Sequence, residues 1–347
     1  MKRIIVISLL LSTLIFGGEI FRYGSTAANF LEIGMGSAPS AMGEAYVAMT
    51  GNLSSVYWNP AGIAHLKKNE FTFMYQPWVV DINTAFVSTG IVVPRVGTIA
   101  LSMTQIGYGN MEVTTLKFQD GTGEYFTARE MAAGLTFARR LATWFSFGAS
   151  TKLISSQIRH MSASAFALDL GVIVNTEFFS PTGEKEDGLA IGMSISNYGT
   201  KMQYDGIDLL QPIDISIYED GNYADVAGLF RTQGWELPLI FRIGVAYKPI
   251  VSKNHRLTIA VDALHPNNNT ESLNSGLEYQ LKIPRAGKFS LRTGYKALYM
   301  NESQFGLTAG GGLELFLMGN RSVTIDYAFK EIGILGRTHA YTIGLSF

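Results

Sequence analysis

The sequence predicts an all-β protein: a transmembrane antiparallel β-barrel of about fourteen strands, with a small N-terminal hatch of short helices plugging its lumen. Three observations predict it. From residue 69 onward, apolar and polar residues alternate with period two in short segments, as strands with two unlike faces require. Large apolar residues hold one parity of these segments, and nearly all mid-strand charges hold the other. Beyond the N-terminal segment, no apolar run reaches the ~20 residues of a spanning helix, so crossing a bilayer falls to strands.

The chain opens with "MKRIIVISLLLSTLIFGG": two basic residues, an apolar run from Ile4 to Phe16, then small residues. This pattern predicts a secretory signal peptide over residues 1–18, too short for a comfortable membrane span. It implies export through the general secretory pathway to the outer membrane of a diderm bacterium. The chain has no Cys, so its stability must come from backbone ladders and packing rather than disulfides.

Residues 19–68 break the strand pattern. They are rich in small residues, and Gly36, Gly43 and Gly62 allow tight bends and close packing. Ala41 to Met49 predicts a short helix. "SSVYWNPAGIA" predicts a turn and a second helix, with Asn59 initiating the turn and Pro60 opening the helical one. A barrel of this size has a lumen too wide for wall side chains to fill, so this segment is assigned as its hatch.

The barrel follows, over residues 69–347. Strands are expected near 70–76, 84–93, 97–107, 127–139, 144–155, 163–175, 188–198, 237–248, 256–264, 275–283, 287–297, 304–316, 321–330 and 338–347. The last, "HAYTIGLSF", puts Tyr341, Ile343, Leu345 and Phe347 on one side, as a strand zipped into a closed barrel would. Short connections at 94–96, 140–143, 284–287 and 317–321 suit periplasmic turns, and 177–188 is a longer exception. The connections at 108–126, 199–236 and 265–274 suit outward loops.

Parity identifies the faces. Phe166, Leu168, Leu170, Val172 and Val174 share one side of their strand, as do Phe241, Ile243 and Val245. The opposite parity carries Glu130, Lys152, Asp169, Arg242, Asp262, Glu278, Arg292, Glu314 and Asp326, together with many glycines and alanines. An Arg or Lys facing lipid at mid-depth costs ~2–4 kcal/mol, so this sorting puts the charges in the lumen. There they are expected to form cross-strand and hatch-anchoring ion pairs.

Other function classes fit poorly. A net charge of −1 argues against a nucleic-acid partner. The five His lack metal-ligand spacing, and neither a metal nor a cofactor is expected. No GxSxG elbow is present, and the glycine-rich "AGGGLE" lacks the Lys and helix of a phosphate loop. Ser155 or Ser156 with His160 is expected on an outer loop without an acid partner, so the chain is not expected to be an enzyme.

The stretch "GSAPSAMGEAYVAMTGNLSSVYWNPAGIA" resembles the hatch of the long-chain fatty acid transporter (FadL) superfamily, nearer its PorV/PorQ branch. Echoes follow in "IGMSISNYG", "LPLIFRIGVAYKP" and the final 25 residues, so the resemblance spans most of the chain beyond residue 18. It implies a fourteen-stranded barrel with an N-terminal plug. Its hatch motif falls on Gly43, Asn59, Pro60, Ala61 and Gly62. It further implies a type IX secretion accessory, whose partners are outer-membrane lipid, other secretion components and secreted proteins carrying C-terminal sorting domains. The aromatics Tyr204, Tyr218, Tyr223, Phe230 and Trp235 of the longest loop would offer the contact surface. The alternatives are a channel for a hydrophobic small molecule and a structural envelope scaffold.

Overall fold

Alternating sequence becomes wall. The structure, a computed structural model, describes residues 22, 24–80, 82–216, 218, 226–300 and 303–347. The expected signal peptide and Tyr223 lie outside the described residues. The first seven strands are β1 (Glu70–Pro77), β2 (Asn83–Val93), β3 (Gly97–Glu112), β4 (Tyr125–Arg140), β5 (Phe145–Ile158), β6 (Met161–Asn175) and β7 (Ala190–Gly199). A long connection carries three short strands, β8 (Asp205–Gly206), β9 (Leu210–Ile213) and β10 (Val226–Leu229). The wall resumes with β11 (Ile240–Val251), β12 (His255–Pro266), β13 (Ser272–Ile283) and β14 (Gly287–Leu298). It ends with β15 (Leu307–Leu317), β16 (Arg321–Glu331) and β17 (Arg337–Ser346).

Strands β1–β7 and β11–β17 each pair antiparallel with both neighbours, β7 meeting β11 across the long connection. The ring closes where β1 meets β17, from Glu70↔Ser346 to Tyr75↔Tyr341. The C-terminal strand is therefore paired on both sides, with β16 and with β1, and leaves no edge for another chain to add to.

All fourteen expected strands are present, with shifted ends. A bulge between Gly107 and Asn110 lets the β3–β4 ladder resume at Asn110↔Thr127, which shortens the expected 108–126 loop to 113–124. β5 and β6 run on to a two-residue hairpin at Arg159 and His160, with Arg159 in the left-handed region at φ 53°. β11 starts at Ile240, because the Leu239 N–H turns back onto the Leu237 carbonyl at 2.9 Å.

The apolar parity faces away from the lumen. On β6, Phe166, Leu168 and Leu170 are 41%, 39% and 47% exposed, while Asp169 between them is 1% exposed. Phe71, Phe73 and Tyr75 on β1 continue the same band across the closing seam beside Tyr341 and Ile343. So continuous a belt of bare aromatic and aliphatic side chains is stable against lipid and not against water. No helix among the described residues is long and apolar enough to cross a membrane.

The core lies inside the cylinder and is made by the hatch. Residues 34–49 are all buried. The expected helix from Ala41 to Met49 does not form. Gly43 (φ 64°) and Glu44 (φ 66°) both take the left-handed conformation, which ends a helical run. The helix sits earlier, at Ser37–Ala41, and a second short one spans Ser55–Trp58. Near the outer end, Phe30 and Leu31 pack on Ile106, Ala132, Ile154 and Ala165 of the wall. Toward the opposite end, Leu53, Val56, Ile63 and Leu66 pack on Ala100 and Ala138.

Candidate functional site

The hatch is held by polar anchors set in this apolar packing. Asn59 is the densest of them. Its Oδ1 accepts from the Ala61 N–H at 3.1 Å, capping the 3-10 turn Pro60–His65 that Pro60 opens. Its Nδ2 donates to the Val47 carbonyl at 2.8 Å within the hatch and to the Val172 carbonyl of β6 at 3.1 Å. The wall makes room with glycine. A Cβ at Gly148 would strike the Pro60–Ala61 backbone, and one at Gly171 would strike Asn59 Oδ1. The Gly62 N–H donates to the Asn59 carbonyl at 2.9 Å, and a Cβ on Gly62 would meet Ser55. Gly43 lies against the backbone of Ser275 and Tyr295, its N–H donating to Thr308 Oγ1 at 2.8 Å.

Carboxylates supply the other anchors. Asp262 Oδ2 on β12 accepts from the Tyr46 and Val47 N–H groups at 2.6 and 2.8 Å. Glu44 reaches the wall from the hatch side: Lys296 Nζ stands 2.8 Å from Oε2, and Lys330 Nζ stands 3.4 Å from Oε1. Burial alone would raise the Glu44 pKa, but the two ammonium groups outweigh it and hold the carboxyl below its ordinary value. This triad escaped sequence reasoning. Lys296 shares the inward parity of Arg292 and Lys330 that of Asp326, so parity could have placed both. Glu44 lies in irregular backbone that gives no such signal.

The inward charges named from sequence fall into separate clusters. Arg292 bridges two carboxylates, Nε to Glu278 at 2.7 Å and Nη1 to Asp326 at 2.6 Å. Glu314 pairs with Lys288 at 2.8 Å rather than with its neighbour Asp326. Lys152 pairs with Asp169 at 2.7 Å and donates to Asn197 Oδ1 at 2.6 Å. Arg242 donates to Ser196 and lies over the rings of Tyr57 and Trp58, 5.9 and 5.6 Å from their centroids. Glu130 accepts from the Tyr108 hydroxyl.

Little open lumen is left. Under Phe30 and Leu31, beside Lys152 and Asp169, a cavity of only 30 Å³ remains. Toward the short turns the lumen widens into a charged vestibule of 470 Å³, lined by Lys67, Glu70, Arg140, Lys248, Lys288 and Glu314. Among the described residues, no group of His, Asp or Glu could hold a metal ion.

The outer rim differs in character. Between β7 and β11 the chain builds a lobe around the β9–β10 hairpin, tied back where Met202 and Trp235 exchange backbone hydrogen bonds of 2.8 and 2.9 Å. The lobe exposes Ile207, Leu210, Ile215, Tyr218, Leu229, Phe230 and Trp235. Tyr204 is not part of that surface. It is half-buried, its hydroxyl within 2.6 Å of Ser156 Oγ and its ring packed on the Phe30 cluster. The expectation that His160 lacks an acid partner is also corrected: Asp208 Oδ1 lies 3.0 Å from its Nδ1. Ser156 is buried and engaged with Tyr204, so the three side chains do not form a nucleophile, base and acid relay.

A closed fourteen-stranded barrel with lipid-facing aromatics and a lumen filled by its own N-terminal segment defines an outer-membrane β-barrel protein. The fold is shared with the Pseudomonas putida toluene transporter TodX, at 12% identity and a TM-score of 0.55, over 90% of this chain and 96% of that one. The Ralstonia pickettii toluene transporter TbuX matches at 8% identity and 0.55, over 90% and 97%. A Pseudomonas aeruginosa FadL homologue matches at 9% identity and 0.52, over 90% and 98%. No individual curated protein matches the sequence.

The family is more specific. The model of the type IX secretion system protein PorV matches residues 20–218, more than half of the chain, and the chain belongs to the PorV family. It is a type IX secretion barrel of the outer membrane.

Proposed function

We propose that the barrel holds secreted proteins by their C-terminal sorting domains at the cell surface, recognising them through the outer lobe and catalysing no reaction itself. One observation carries this reading: the lobe exposes large apolar side chains beyond the lipid-facing band. Tyr218, Ile207 and Phe230 are 92%, 63% and 58% exposed. Apolar surface in that position gains free energy only when a partner covers it. Phe230 and Trp235 are residue types that bury a large area at low entropic cost. Delivery of the chain itself is assigned to the general secretory pathway, from its N-terminal pattern.

A channel for hydrophobic small molecules is less well supported, because the 30 Å³ left under Phe30 and Leu31 is roughly a tenth of even a small ligand pocket of about 300 Å³. The test is a triple variant, Ile207→Ser, Leu229→Ser and Phe230→Ser, expressed in place of the wild type. Sorting-domain cargo on the cell surface should fall by more than half while the barrel keeps its heat-modifiable gel migration. Unchanged cargo at equal barrel abundance would defeat the proposal.

A further inference from the structure

The outward face of β4, β5 and β6 changes character abruptly at one level. Below it stand Leu153 and Phe166, exposed and apolar, with Met131 at the boundary, paired with Ser155. On β6 the apolar parity runs from Val174 to Phe166, ~27 Å along the strand and ~21 Å along the barrel axis at a 40° tilt, close to the height of a lipid-facing band. Above it the same parity carries Ser155, Ser164, Gln157 and Arg129. By the pairing Arg129↔Gln157, these two groups stand side by side ~5–10 Å beyond the last large apolar residues, at the depth of lipid head groups.

A groove of 810 Å³ opens there, between the tips of the β3–β4 and β5–β6 hairpins. It is lined by Arg129, Arg159, Gln157, Tyr125 and Asn110, with Glu124 contributing a carboxylate. Arg129 is preset: its Nε and Nη2 donate to Gln157 Oε1 at 3.1 and 2.8 Å, leaving Nη1 free. The Arg159 backbone is pinned by its N–H on the Thr127 carbonyl at 3.2 Å. Among the described residues neither guanidinium has a carboxylate within ion-pair distance, and the nearby Asp208 is occupied by His160. In the lumen, by contrast, Arg292 is paired with two carboxylates.

Two unpaired arginines on a preset frame, facing outward at head-group depth, suit a planar bidentate acceptor. We infer that this groove binds the phosphate of a phosphorylated glycolipid in the outer leaflet, with Arg129 and Arg159 on the phosphate and Gln157, Asn110 and Tyr125 beside the sugar hydroxyls. Lipid and barrel then meet at one fixed azimuth, next to the lobe, whose Asp208 bonds His160 at the edge of the groove. This site is independent of how the lobe handles cargo.

The test uses the full-length barrel in nanodiscs of phosphatidylcholine doped with diphosphoryl lipid A, or with the same lipid stripped of its phosphates. Lipid retained after release from the disc is counted by native mass spectrometry. Wild type should retain diphosphoryl lipid A at least fivefold more than Arg129→Gln/Arg159→Gln, and the dephosphorylated lipid should not distinguish them. Arg139→Gln, with the same outward parity at the opposite end of β4, should behave as wild type. Equal retention by the double variant, equal retention of the dephosphorylated lipid, or an equal loss with Arg139→Gln would each overturn the assignment. So would displacement by millimolar inorganic phosphate, which would mark an anion site rather than a lipid site. Heat-modifiable migration verifies that each variant is folded.

Discussion

Asn59→Ala is the sharpest probe of the hatch. The substitution removes three hydrogen bonds, but they are not equivalent. The Val172 carbonyl belongs to a strand paired on both sides, so losing its extra donor matters little. The Val47 carbonyl and the Ala61 N–H are different. Both residues are fully buried, and in the variant each loses the partner that Asn59 supplies. A buried polar group left unpaired costs ~1–3 kcal/mol, which sets the loss near 3 kcal/mol for the pair, the helix-capping contribution included. The barrel itself should be untouched, since its ladder does not pass through Asn59. At ~1.4 kcal/mol per decade, the open fraction of the hatch rises ~100-fold. Hydrogen exchange resolved by peptide reads this directly: amides over residues 44–62 should exchange ~100-fold faster while β11–β17 stay protected. The looser plug should also admit bulky antibiotics to cells expressing the variant. Less than a threefold change over residues 44–62, at normal barrel abundance, would refute the accounting.

Three further outcomes follow from the same anchors. Glu44→Gln leaves the Lys296 and Lys330 ammonium groups without their counter-charge in a buried site, a change of ~3–5 kcal/mol, so the hatch should lose protection over residues 36–50; adding Lys330→Met should recover part of it. His65, which hydrogen-bonds Ser146 at 2.9 Å, has its pKa pushed down to about 4 by burial and, secondarily, by Arg140. An unfolded His binds its proton near pH 6.5, so its share of hatch stability is complete above that pH and is lost as pH falls from about 6.5 toward 4. Exchange over residues 60–66 should accelerate across that window, and His65→Asn should flatten the dependence. Gly171→Val places a branched side chain where Asn59 and Pro60 pack, and should match or exceed Asn59→Ala in the same exchange assay, whereas Gly311→Val, on a wall position clear of the hatch, should not.

The barrel was legible in sequence because strand periodicity and lipid exposure impose the same two-residue rule on every segment. A charge such as Asp169, flanked by Leu168 and Leu170, can point in only one direction if its neighbours face lipid. The hatch obeys no period. Its path depends on Gly43 and Glu44 entering the left-handed region and on individual contacts with strands more than a hundred residues away, so the expected Ala41–Met49 helix failed while Asn59 and Pro60 were found through local turn chemistry. Charges could be assigned to the lumen but not to partners. Glu314 pairs with Lys288 rather than gathering with Asp326, because register across two strands decides which groups meet. The outer loop was the least legible part: Tyr204 folds inward onto Ser156, and aromatic composition alone carries no information on direction.

The way the lumen is filled also limits what this scaffold can do. Opening a passage means withdrawing residues 34–49, which strips Tyr46 and Val47 from Asp262 and Glu44 from two lysines, besides breaking up the apolar clusters around Met35 and Met42. Each buried charge left unpaired costs several kcal/mol, so the sum far exceeds thermal energy, and a partner bound to the proposed outer surface would make no contact with those anchors to offset it. The transporters that share this fold are therefore a guide to its architecture and a poor guide to traffic through it. With the centre closed, the surfaces left to do work are the two rims and the lipid-facing wall. On the outer rim the lobe exposes Ile207, Tyr218, Leu229 and Phe230, the surface proposed above to meet cargo.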